Sequence, residues 1–166
     1  MKHLNMFNTK PFIVSLVFTL FFASSALPTT FIVDNISDFD NGQAYDPGDF
    51  TNSLRKCIRL ANANAGPDVI KFDLVSVGPF EIVLSATLPP LTDDDGVTID
   101  GFSQSGSSVN TTAIQALDAA NPLNPVYQIE IDGANNASHI FEIRSSKNVI
   151  QGLVINSATS SAIKIT

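Results

Sequence analysis

Carboxylates are the densest chemistry in the sequence. Asp93-Asp94-Asp95-Gly96 is followed by Asp100, and Ile99-Asp100-Gly101 recurs as Ile131-Asp132-Gly133. If the two Ile-Asp-Gly turns stack at strand spacing, Asp100 and Asp132 repel by roughly 3.5 kcal/mol at an effective dielectric of about 20. A Ca²⁺ ion would remove that cost, since carboxylate oxygens are its preferred ligands. Asp95, Asp100 and Asp132 are therefore the candidate Ca²⁺ ligands, against the plainer reading of solvent-facing turn residues. The run lacks the alternating ligand spacing of an EF-hand loop.

The remaining reactive types are sparse. Arg144 and Lys147 flank Glu142 and could supply the cation of a polysaccharide-cleaving site, yet no acidic trio accompanies them at a recognisable spacing, and surface placement is expected. His139 follows Asn136 and Ser138, where a turn or rim residue is expected, and no nucleophile-elbow pattern supports a Ser-His-acid triad. Cys57 is the one cysteine and reads as a small buried hydrophobe. No phosphate loop, Cys-x-x-Cys or His-x-x-x-His pair is present. The sequence thus names no catalytic and no cofactor-binding residue.

Charge narrows the partners. Nine Lys and Arg stand against 16 Asp and Glu, a formal charge of -7 over 166 residues. An acidic chain repels a polyanion at long range, which argues against a nucleic-acid partner. Lys2, His3 and Lys10 precede a mostly apolar run from Phe12 to Ala23, and Ser24-Ser25-Ala26 follows. That layout predicts a secretory signal peptide over residues 1–26, an exported protein over 27–166, and no transmembrane helix after cleavage. Asn35, Asn110 and Asn136 begin Asn-x-Ser/Thr sequons, which matter only in a host that glycosylates exported proteins.

In the exported portion one helix is expected. Leu54, Cys57, Ile58 and Ala61 form a stripe from which Arg55, Lys56 and Arg59 point away, with Thr51 or Asn52 as the cap and Gly66-Pro67 as the stop. Short Val- and Ile-rich strands occupy Phe31 to Asp34 and recur from Val69 to Ile165. Ile140-Phe141-Glu142-Ile143 and Ala162-Ile163-Lys164-Ile165 match at an offset of 22 residues. A repeat of that length holding short strands predicts an all-β, right-handed parallel β-helix of three to five coils, its first coil covered by the helix. Ser103 to Pro125 is an excursion loop. The chain stops within a strand at Ile163-Lys164-Ile165-Thr166, so further coils or a covering partner are expected there.

These segments resemble the N-terminal part of a family of exported bacterial parallel β-helix proteins marked by a CSLREA signature, within the pectate-lyase-like superfamily. The resemblance rests on Asn52-Ser53-Leu54-Arg55-Lys56-Cys57-Ile58, on Ala61 to Phe72, on Leu88-Pro89-Pro90-Leu91-Thr92, on Val97 to Gly101 and on Gln151 to Ile155. Asn52 replaces the leading Cys of the signature, Lys56 its acidic or amide position, and Cys57 its Ala. The resemblance implies export and no fixed activity, because such folds serve as adhesin stalks, autotransporter passengers and enzyme scaffolds. The expected function is a non-catalytic surface or secreted scaffold of adhesin type, presenting its loops to a carbohydrate or a surface protein. The rival is a polysaccharide lyase or hydrolase, or a fragment of one, acting on acidic polysaccharide.

Overall fold

The computed structural model describes residues 27–113, 120 and 122–166; the leader and part of the excursion loop lie outside the described residues. Among the described residues nine short strands, one α-helix and a single 3-10 turn at Gly101–Ser103 are found, the strands and helix in the order β1 (Thr30–Val33), α1 (Leu54–Ala61), β2 (Asp68–Phe72), β3 (Phe80–Val83), β4 (Val97–Asp100), β5 (Ile129–Asp132), β6 (His139–Ile143), β7 (Val149–Gln151), β8 (Leu153–Asn156) and β9 (Ser161–Ile165). Each segment read as a strand in the sequence is one, within two residues at either end.

The architecture differs from the expected one. The strands fall into three separate parallel sheets, ordered β1-β2-β4-β7, β3-β5-β8 and β6-β9. The first pair, β1 and β2, is joined through α1 as a β-α-β unit, and the helix packs on both strands. This is an α/β-type arrangement, and the all-β, right-handed parallel β-helix is corrected accordingly. The physical reason lies in the spacing. The 22-residue offset is the register of β6 with β9, where Glu142 faces Lys164. Between β4 and β7 the offset is 51 residues, at Asp100 and Gln151. One matched pair of segments therefore did not define a period. The helix, read as a cap, is the crossover that a parallel pair requires.

Local rules explain the helix. Leu54, Cys57, Ile58 and Ala61 are all buried, as their spacing demands. The cap is Ser53, whose hydroxyl accepts from Lys56 N at 3.2 Å, and not Thr51 or Asn52. The helix ends at Ala61, ahead of Gly66-Pro67, and Asn62 pins that end by donating to Pro90 O and accepting from Thr92 N. Arg55 and Arg59 reach out to Asp38 and Asp40. Lys56, expected on the solvated face, is fully buried, and its Nζ donates to Thr51 Oγ1 at 3.2 Å.

The core is a set of in-register ladders. Phe31, Ile70, Ile99 and Ile150 line up across the first sheet, and Ile82, Ile131 and Ile155 across the second. Alternation places these side chains inward, each contributing about 1.5–3 kcal/mol where burial is complete. The two Ile-Asp-Gly copies do the same job in different sheets. A Cβ at Gly133 would sit 2.6 Å from Ser157 O, and one at Gly101 would collide with Gly152 O, so each glycine lets the next strand's turn lie against it.

Candidate functional site

The carboxylates singled out in the sequence are placed apart. Asp100 ends β4 in the first sheet, where it accepts from Phe102 N and from Gln151 Nε2. Asp132 ends β5 in the second sheet, opposite Asn156, and accepts from Ala134 N at 2.8 Å. That bond is the main reason its carboxyl lies below the ordinary range. The two Ile-Asp-Gly turns therefore do not stack on one another. Asp95 lies in the turn before β4 and accepts from Gly66 N at 3.1 Å. Beside that turn Asp68 is 1% exposed; its Oδ1 takes Thr29 N and Asn64 Nδ2, its Oδ2 has no partner, and burial raises its carboxyl. Among the described residues no three His, Cys, Asp or Glu side chains converge as a metal centre would require.

Glu142 gathers the densest charge. Its oxygens accept from Lys164 Nζ and Arg144 Nη2, both at 2.9 Å, and these cations hold its carboxyl down at about 2, with Lys164 the larger influence. Arg144 was legible beside Glu142, and the 22-residue match set Lys164 opposite Glu142, though the ion pair itself was not read from it; Lys147 takes no part in these contacts. His139 stands in β6, with Nδ1 3.0 Å from Ser138 Oγ and Nε2 3.4 Å from Glu142 Oε2. The order Ser-His-Glu is that of a nucleophilic triad, but the last link exceeds hydrogen-bond length and two cations already neutralise the carboxylate. The cluster acts as a tie between β6 and β9. Cys57 is buried and its thiol is pushed up to about 12, chiefly by burial, so it is no nucleophile.

Two features escaped the sequence reading. On the outer face of the second sheet Glu81 stands in register with Glu130, and Val83 with Asp132, so three carboxylates share one surface. Asn156 Nδ2 donates to Glu130 there. The pattern Phe80-Glu81-Ile82-Val83 against Ile129-Glu130-Ile131-Asp132 carried that signal.

The second feature is a pair of clefts of about 220 and 250 Å³ that share Asp34 and Phe50. Ile36, Leu74, Val75 and Phe80 help to line the first, and Tyr45, Pro47 and Asp73 the second. Phe50 is 56% exposed on a left-handed backbone with φ 56°, a conformation that costs a non-glycine residue of order 1 kcal/mol or more. Its frame is tight. Asn35 Nδ2 donates to Phe50 O at 2.7 Å, and the buried Asn52 amide donates to Asp34, Asp46 O and Asp49. Tyr45 stacks edge-on against Phe31, accepts from Ile32 N at 3.0 Å, and keeps its proton because burial raises its hydroxyl. Asp73 is exposed and its carboxylate has no partner among the described residues. The result is an exposed ring fixed between two concavities with free acceptors beside it.

No family model, curated protein or solved structure matches the chain. The resemblance described above therefore rests on the quoted segments alone.

Proposed function

We propose that the chain is the binding segment of an exported, surface-attached or secreted scaffold of adhesin type, and that it is not catalytic. The observation carrying this reading is the half-exposed Phe50 ring, set by a held backbone between two shallow clefts, a feature of contact surfaces. The clefts fall below the size usual for pockets that enclose a small substrate. Glu142, held down at about 2 by Lys164 and Arg144, has no proton to give at neutral pH. Export follows from the leader pattern before Ala26, and no described helix is long and apolar enough to cross a membrane.

A second reading has its own support. Glu81, Glu130 and Asp132 on one sheet face supply the paired carboxylates that a polysaccharide hydrolase uses as acid and base. One assay separates the two. The chain is incubated with neutral and acidic polysaccharides, with and without Ca²⁺, and both reducing ends and ultraviolet-absorbing unsaturated products are followed. Retention on an immobilised polymer or protein with no product supports the scaffold; product formation lost in Glu130→Gln overturns it.

A further inference from the structure

The character of the clefts restricts what they accept. The second is lined by two carboxylates, Asp34 and Asp73, and two aromatic rings, Tyr45 and Phe50, with no Lys or Arg in either lining. Asp46 and Asp49 lie on the same loop. Lys56 is fully buried, its Nζ donating to Thr51, and the exposed Lys71, two residues before Asp73 and in register with Ile32 on one side and Asp100 on the other, lines neither cleft. Arg55 and Arg59 are held by Asp38 and Asp40. A negative concavity walled by π faces favours a cation twice, through charge and through the ring quadrupole. It disfavours a polyuronate for the same reason. The first cleft adds Ile36, Val75 and Phe80, side chains suited to an apolar neighbour.

We propose that the two clefts around Phe50 dock an extended protein segment in which a basic side chain sits beside an apolar one. The basic group lies over the Phe50 and Tyr45 rings with Asp34 and Asp73 as counter-charges, and the apolar neighbour enters the first cleft. Asp73 is the counter-charge free to respond, because both Asp34 oxygens already accept from Asn52. The formal charge of -7 steers such a partner in from a distance. This inference rests on the binding reading above and names its partner.

The test is amide chemical-shift titration of the full, ¹⁵N-labelled chain with acetyl-Ala-Leu-Arg-Leu-Ala-amide. The glutamate analogue of that peptide and neutral maltohexaose are run in parallel. The arginine peptide is expected to shift amides over 32–50 and 73–80, and to bind about tenfold more weakly in half-molar salt than in dilute buffer. Asp73→Asn is expected to weaken it about tenfold, since it removes one counter-charge that nothing else in the fold uses. Phe50→Gly is expected to abolish binding with no loss of melting temperature, because glycine adopts the φ of 56° freely. Equal binding of the glutamate peptide, or indifference to both substitutions, overturns the proposal. Maltohexaose shifting the same amides in place of the peptide overturns the cationic partner and leaves the binding reading intact. No shift with any probe overturns both.

Discussion

The segment from Asp34 to Ala61, which leaves β1 at one edge of the first sheet, and the last four strands, β6 to β9, use charge differently. In the first region Arg55 and Asp38 are 17% and 6% exposed, Asp38 also takes Ser85 N and Oγ, and Arg55 donates on to Ala86 O and Thr87 O. In the second, Arg144 and Lys164 stand 52% and 45% exposed around Glu142, and the strands leave Val149, Val154, Ile163 and Ile165 open to solvent. Shielded, multiply bonded pairs fix a loop; exposed ones are worth little. The difference shows why Phe50 can be held in a strained pose: its loop is bolted to a helix and to the segment after β3.

Core truncation sets the largest contrast. Ile131→Ala, at a fully buried rung, is expected to lower unfolding free energy by about 2–5 kcal/mol, against about 1 kcal/mol or less for Ile163→Ala at the open edge, by denaturant melts. Equal losses would erase the distinction. Asp38→Asn comes next, at about 3 kcal/mol, since it strands the Arg55 guanidinium in a shielded place; Arg144→Ala in the same melts should change little. Ser53→Ala removes the cap of α1 and should cost about 1 kcal/mol.

The smallest effect is on the pH profile. Glu142 is held at about 2 against an ordinary 4.5, so its contribution is full above about 4.5 and lost as pH falls toward 2. Glu142→Gln should therefore flatten acid destabilisation across that window, its cost present in full above about pH 4.5 and vanishing as pH nears 2, where variant and parent converge. An unaltered acid limb would remove Glu142 as its source.

The elements of this fold were readable because helix and strand patterns are local. Apart from β6 with β9, their neighbours were not, since pairing joins residues as far apart as Asp100 and Gln151. Ile131-Asp132-Gly133 looked like a second rung of Ile99-Asp100-Gly101, yet each lies on a different sheet, and the shared glycine reflects a shared close approach. Lys56 read as solvated because residue type says nothing of the loop that covers it. The clefts were illegible for the same reason: Tyr45 and Phe50 sit in a polar, turn-rich stretch, and their walls come from residues 73–80, after the helix and β2. A phenylalanine inside Asp46-Pro47-Gly48-Asp49-Phe50-Thr51 was the one hint.

The binding face proposed for this chain is the pair of clefts at Phe50 and not the carboxylates of the second sheet. The most direct measurement is residue-resolved hydrogen exchange of the chain alone and with the arginine peptide or an oligogalacturonate at equal concentration. Slowed exchange over 32–50 and 73–80 with the peptide, and none with the oligogalacturonate, is the expected result. Protection centred on Glu81, Glu130 and Asp132 by the saccharide would contradict it.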